Sequence, residues 1–251
     1  VEGGDDGPRP VPEIVDIVPR SGRRVYDMRR VIDVVFDAES WFEVQPTFGA
    51  SIICGHARLG GHPIAVVANQ PQVLAGSIDA DGAEKAARFI TVADSFHLPL
   101  VFLADNPGVM PGSASEKAGI LRKGARMYAA QAAATTPKFE VTLRKAYGFG
   151  SMVMSMLPFD GQSAVFAFPG VTMGAMGASA MSRSRKSDDD EAAMLREREL
   201  EASYGSAMSF GGFDELIDPT ETRTVLLHSL ERALHRRQAA PEPVARIGNA
   251  P

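Results

Sequence analysis

Met28, Val31, Ile32, Val35 and Phe36 recur every three to four positions among Arg29, Arg30, Asp33 and Asp37, and this predicts a helix from Asp27 to Ser40 with Asp27 near its start. Period two then takes over. Trp41 to Val44, Ala50 to Arg58, and Pro63 to Ala68 read as strands, the last two joined at Gly60-Gly61. Helical spacing returns between Asp81 and His97, where Ala83, Ala86, Ala87, Ile90 and Ala93 share one side and Pro99 stops the helix. The apolar run Leu100 to Asp105 is a buried strand, and Ser115 to Thr136 is expected to be the longest helix. Phe139 to Leu143 and Ala164 to Phe168 are further strands, while Ala192 to Ala202 and Thr222 to Arg237 are the closing helices. Val11 to Val18 carries Pro12 and is followed by Pro19, and reads as an extended connector.

Strands alternating with helices over short glycine connections predict an α/β core with much parallel pairing. No short fixed repeat interrupts that regularity. One arrangement occurs twice. The strand ending at Asp105 runs into Asn106-Pro-Gly-Val-Met-Pro-Gly112, and the strand ending at Leu143 runs into Arg144-Lys-Ala-Tyr-Gly-Phe-Gly150, each followed by a helical pattern. Adjacent strand-to-helix turns aim free N–H groups into one cleft, which suits an oxyanion without any ionisable side chain. The glycines Gly108, Gly112, Gly148 and Gly150 equally serve as relief of strain at tight turns. Gly170, Gly174 and Gly177 form either a packing turn or the floor of a pocket. Met152, Met154, Met156, Met173, Met176 and Met181 follow these turns, as core fillers or as an adaptable apolar wall.

Composition narrows the classes. The chain has 251 residues, 45% of them hydrophobic and 23% charged, as an ordinary globular enzyme has. Its net charge of −5 argues against nucleic acid, and the basic Arg183-Ser-Arg-Lys186 is followed by the acidic Asp188 to Glu191. Apolar runs break before reaching the length of a membrane span. The single cysteine, Cys54, reads as a buried free thiol, consistent with a reducing, cytoplasmic setting. The Gly-, Pro- and Asp-rich opening, Val1 to Pro12, reads as a linker. The expected division is a linker over 1–20, one domain over 21–240 and a flexible tail over 241–251.

Several chemistries find no support. The five histidines, His56, His62, His97, His228 and His235, make no metal-ligand spacing, and His228 and His235 fall on a solvated face. There is no Gly-x-Ser-x-Gly elbow, no Walker motif and no dinucleotide fingerprint.

Taken in order, Asp105 to Gly112, Gly119 to Arg126, Thr135 to Lys138, Arg144 to Gly148, Phe168-Pro169 and Met176 to Ala178 resemble the C-terminal half of the carboxyltransferase (β) subunit of biotin-dependent acyl-CoA carboxylases. The resemblance runs from about Ser21 to Arg237. It implies a crotonase-like spiral of strand-strand-helix units. It also implies transfer of a carboxyl group from carboxybiotin to the α-carbon of a short acyl-CoA, of acetyl- or propionyl-CoA type. By the resemblance, the amides of Phe149 and Gly150 form the oxyanion hole, and Gly108, Gly112, Tyr147, Gly148, Gly174, Met176 and Gly177 line the biotin side. Biotin would arrive covalently on a carrier, with acyl-CoA as substrate and no metal in this domain. The implied partners are an N-terminal carboxyltransferase half, a biotin carboxylase and carrier subunit, and further copies in a dimer or hexamer, with activity requiring the N-terminal half. The chain departs from the family's common Gly-Gly-Ala, having Gly148-Phe149-Gly150, and from its Val-Pro-Gly, having Asn106-Pro107-Gly108. Two other readings stand beside this one, a crotonase-type hydratase, isomerase or thioesterase using Glu116, and a non-catalytic scaffold of a carboxylase complex.

Overall fold

The computed structural model describes residues 7–156, 161–174, 212–235 and 242–243. Its strands are β1 (Phe42–Val44), β2 (Ile52–Leu59), β3 (His62–Asn69), β4 (Leu100–Asn106), β5 (Lys138–Tyr147), β6 (Ala164–Ala167), β7 (Thr172–Gly174) and β8 (Glu215–Leu216). The helices are α1 (Ile14–Ile17), α2 (Met28–Val35), α3 (Ala80–Ser95), α4 (Ser113–Lys117), α5 (Ile120–Ala133), α6 (Gly148–Val153) and α7 (Thr222–His235).

One sheet runs in the order β1-β2-β3-β4-β5-β6-β8, with β7 also paired to β5. β1, β2 and β3 pair antiparallel, and from β3 onward every pairing is parallel. A parallel sheet needs cover on both faces, and the central strands supply apolar residues to both. Val101, Leu103, Phe139, Val141 and Leu143 pack with α1, α2 and α7. Leu100, Phe102 and Ala104 pack on the other face with α3, α5 and α6. Cys54 of β2 belongs to this second layer, fully buried and free, and burial pushes its thiol up to about 12.

Local chemistry sets the helix starts. Asp27 caps α2 by accepting from the Arg29 N–H at 3.0 Å, a contact of about 1 kcal/mol. Asp79 caps α3 through the Gly82 N–H and is itself held by the Ser51 hydroxyl at 2.7 Å.

Four expectations need correction. The Val11 to Val18 segment is no extended connector, because Ile14–Ile17 is helical, Val11, Ile14 and Ile17 join the core, and the Val11 N–H donates to the Thr220 carbonyl. α2 ends at Val35, since Phe36 turns extended with ψ of 175°. The helix expected from Ser115 to Thr136 is two helices, broken where Gly119 takes a left-handed φ of +79°. That leaves α3, of 16 residues, longer than α5, of 14. Finally, β5 does not stop at Leu143 but continues to Tyr147. The helix expected over 192–202 lies outside the described residues.

Candidate functional site

The site grows from a bulge. Ala104 of β4 pairs with Thr142 of β5, yet Asn106 pairs with Ala146, so Asp105 alone faces Leu143, Arg144 and Lys145. Bulges bend a strand and re-aim its side chains. Here the bulge points two cations at one carboxylate. Arg144 Nε lies 2.7 Å from Asp105 Oδ2 and Lys145 Nζ lies 3.9 Å from Asp105 Oδ1. Beyond the bulge β5 exchanges its neighbour β6 for β7, which pairs Tyr147 with Gly174.

Past Tyr147 the backbone turns at once into α6. Gly148 has φ of +54°, open to glycine at no steric cost, and no side chain caps the helix. The first N–H groups of a helix have no intrahelical acceptor, and the amides of Phe149 and Gly150 donate to no loop acceptor among the described residues. Ser151 contributes its hydroxyl to the Gly148 carbonyl at 2.7 Å and thereby tightens the turn.

The loop after β4 is pressed against this turn. A Cβ on Gly150 would run into Asn106 Oδ1 and come within 2.7 Å of Gly108 Cα. The same Asn106 oxygen accepts from the Gly108 N–H at 3.1 Å, and the Asn106 amide donates to Asn69 Oδ1 at 3.3 Å. Asn69 ends β3 and also accepts from the Asp105 N–H. Two asparagines thus tie the ends of β3 and β4 to the loop that follows β4. The far side of the loop is fixed by Ile78, whose N–H donates to the Gly108 carbonyl and whose carbonyl accepts from the Met110 N–H. A crevice outside the carboxyl ends of parallel strands is where α/β sheets hold ligands.

The Phe149 ring turns toward α5. A Cβ at Gly124 would stand 2.7 Å from Phe149 Cε1, so the absence of a side chain there makes the seat for the ring. Gln131, also on α5, donates to the Met152 carbonyl at 3.2 Å and holds α6 in place.

The structure therefore brings Gly108, Tyr147, Gly148, Phe149, Gly150 and Gly174 together. Gly112 is exposed at the start of α4, with nothing within 4 Å of a Cβ. Met176 and Gly177 lie outside the described residues. Glu116, the acid a hydratase would require, is exposed on the first turn of α4, and His228 and His235 are exposed on α7. No group of three or more potential metal ligands occurs among the described residues. No helix there is long and apolar enough to cross a membrane.

Sequence reasoning missed Asn69, Gly124 and the Asp105–Arg144 pair. It also missed Glu140, fully buried on β5, which accepts from the Thr142 hydroxyl at 2.6 Å while its second oxygen has no partner among the described residues. Burial raises its carboxyl well above the ordinary range, and the Thr142 contact offsets only part of that. The alternation of Lys138, Glu140 and Thr142 with Phe139, Val141 and Leu143 was the available signal.

Fold and site define an α/β domain in which two glycine-bearing turns meet at the ends of parallel strands. The carboxyl transferase domain family matches residues 2–247, and the chain belongs to that family. It is 37% identical to the methylmalonyl-CoA carboxyltransferase 12S subunit of Propionibacterium freudenreichii subsp. shermanii, over 96% of this chain and 48% of that protein. It is 36% identical to the propionyl-CoA carboxylase carboxyltransferase subunit of Haloferax mediterranei, over 100% of this chain and 50% of the relative. Among solved structures, transcarboxylase 12S, with methylmalonyl-coenzyme A and methylmalonic acid bound, superposes with a TM-score of 0.85 at 36% identity, covering 99% of this chain and 49% of that one. The chain thus spans about half the length of the relatives it matches, and its fold is the crotonase-like α/β fold.

Proposed function

We propose that this chain is the biotin-side half of an acyl-CoA carboxyltransferase, with the amides of Phe149 and Gly150 as its oxyanion hole. The reading is carried by the family match over 2–247 combined with an uncapped glycine turn packed against the loop after β4. The residues suit a neutral ureido ring, because the turn presents N–H groups and glycine surfaces rather than a charged side chain. Biotin, brought by its carrier, would supply the carboxyl group. Phe149 and Gly150 hold the ureido oxygen and stabilise the negative charge that grows on it, one such donor being worth about 3 kcal/mol. Gly108, Gly148 and Gly174 keep the crevice free of side chains, and Tyr147 carries the turn at the end of β5. The second amide hole, for the acyl thioester, belongs on the N-terminal half, and the acyl group is of acetyl- or propionyl-CoA type. A biotin carboxylase and carrier, and further copies of the subunit, complete the assembly in the cytoplasm.

The test is transfer of labelled carboxyl from methylmalonyl-CoA or malonyl-CoA to free biotin, with this chain alone and with the N-terminal half supplied. Activity in the second case only is expected. Biotin failing to bind in either case would overturn the reading and leave the scaffold role.

A further inference from the structure

Arg144 does more than neutralise Asp105. Its Nη1 donates to the carbonyls of Pro19 at 3.3 Å, Ser21 at 2.8 Å and Arg24 at 2.7 Å, and its guanidinium carbon sits 4.7 Å from the centre of the Tyr26 ring. Lys145 adds a contact to the Gly22 carbonyl at 3.3 Å. Residues 20–25 are all exposed and lie outside any helix or strand, so these cations fix where that backbone runs. Arg144 is 7% exposed and Asp105 is fully buried. A buried ion pair is weak evidence for stability, since apolar replacements often hold a fold as well, and its better-attested use is to specify one arrangement among several.

The location says which arrangement. Asp105 is bonded to Asn106, whose side chain abuts Gly150, and Arg144 stands three residues before Tyr147. Both loops of the crevice therefore start from this one pair, and the same guanidinium grips the connection between α1 and α2. We infer that Arg144 is a positioning residue that locks the Pro19–Tyr26 connection to the two crevice loops, so that this connection and the Phe149–Gly150 amides keep one register. The inference rests on the carboxyltransferase reading, in which the Phe149–Gly150 amides hold the ureido oxygen.

The structure supplies its own control. Arg223 is also fully buried, paired with Asp37 at 2.7 Å, and its guanidinium grips the carbonyls of Val35 and Gly7, but it does so on α7, in the helix layer that covers the sheet face opposite α6. Arg144→Lys and Arg223→Lys each keep the charge and lose the fork of donors.

In the complete subunit, Arg144→Lys should lower kcat/KM for carboxyl transfer to free biotin by about a hundredfold, as a misplaced catalytic group does. Arg223→Lys should lower the melting temperature comparably and leave kcat/KM per folded molecule unchanged. Hydrogen exchange read by peptide should speed up together over 19–26 and 147–150 in Arg144→Lys, and over neither in Arg223→Lys. Tyr26→Leu, which removes the ring beneath the guanidinium together with its buried hydroxyl, should reproduce the pattern more weakly. Faster exchange confined to 19–26, or equal kinetic losses in the two lysine variants, would overturn the inference. Coupled exchange in a complete subunit that transfers no carboxyl would instead keep the lock and remove the proposed reaction.

Discussion

The two strand-to-helix connections look alike in sequence and behave differently in space. After β4 the chain wanders through Asn106 to Gly112 before the short, exposed α4, whereas after β5 it enters α6 with no intervening loop. Gly112 has φ of +108° and open space around it, so what the fold itself requires there is the backbone conformation. Gly150 has the opposite need. Nothing is left for a side chain between it and Asn106 and Gly108. A glycine forced by close approach marks where two loops meet, and a glycine forced by φ marks only a bend.

That contrast is breakable, and the largest effect should come from Gly150→Ala. Its Cβ meets backbone as well as the Asn106 side chain, so the loops must separate, at about 1–3 kcal/mol of overpacking. Carboxyl transfer by the complete subunit should fall by about two orders of magnitude, the scale for losing one oxyanion donor. Wild-type rates in a folded variant would detach Gly150 from the chemistry.

The strands beneath the turns also differ, since Glu140 of β5 pairs with Phe102 of β4. Because burial in the fold favours the neutral form of Glu140, the unfolded chain loses that proton first as pH rises above the ordinary carboxylate range. The contribution to stability is full at lower pH and falls through the window up to the raised folded value, by about 1.4 kcal/mol per pH unit. Urea titrations at several pH values should show Glu140→Gln gaining on the parent as pH rises. Parallel curves for the two proteins would mean that Glu140 is already ionised in the fold.

Gly124→Ala should act through Phe149, at about 1–2 kcal/mol, because the methyl group displaces a ring rather than backbone. Combining it with Phe149→Ala should recover part of the loss, and a double-mutant cycle in urea reads the coupling. Simple additivity would contradict the packed pair. Gly112→Ala should do least, about 1 kcal/mol of backbone strain with carboxyl transfer unaffected, checked by melting and by the same assay.

Much of this fold could be read from pattern alone. The apolar run of β4, the hairpin of β2 and β3, and the alanine face of α3 follow from period and punctuation, and the residues that meet at the crevice were mostly those the family resemblance pointed to. The failures share a physical cause. Arg144-Lys145 looks like the start of a turn because two adjacent cations seldom sit inside a strand, and among the described residues it is Asp105, brought close by the sheet, that neutralises them there. The break at Gly119 was hidden by the helical spacing on either side of it. Val11, Ile14 and Ile17 kept a helical interval that the neighbouring prolines obscured. Gly124 could not be assigned at all before the Phe149 ring was placed on it.

Cys54, the only thiol in the chain, has a use that its chemistry does not advertise. Fully buried and pushed up to about 12, it is almost entirely in the unreactive thiol form at neutral pH, so a maleimide or disulfide reagent meets it only when the sheet opens. Its rate of modification is a clock for that opening, running in unmodified protein. The same silence lets a cysteine introduced on the surface take a single label, so that opening and docking can be timed on one molecule with two colours.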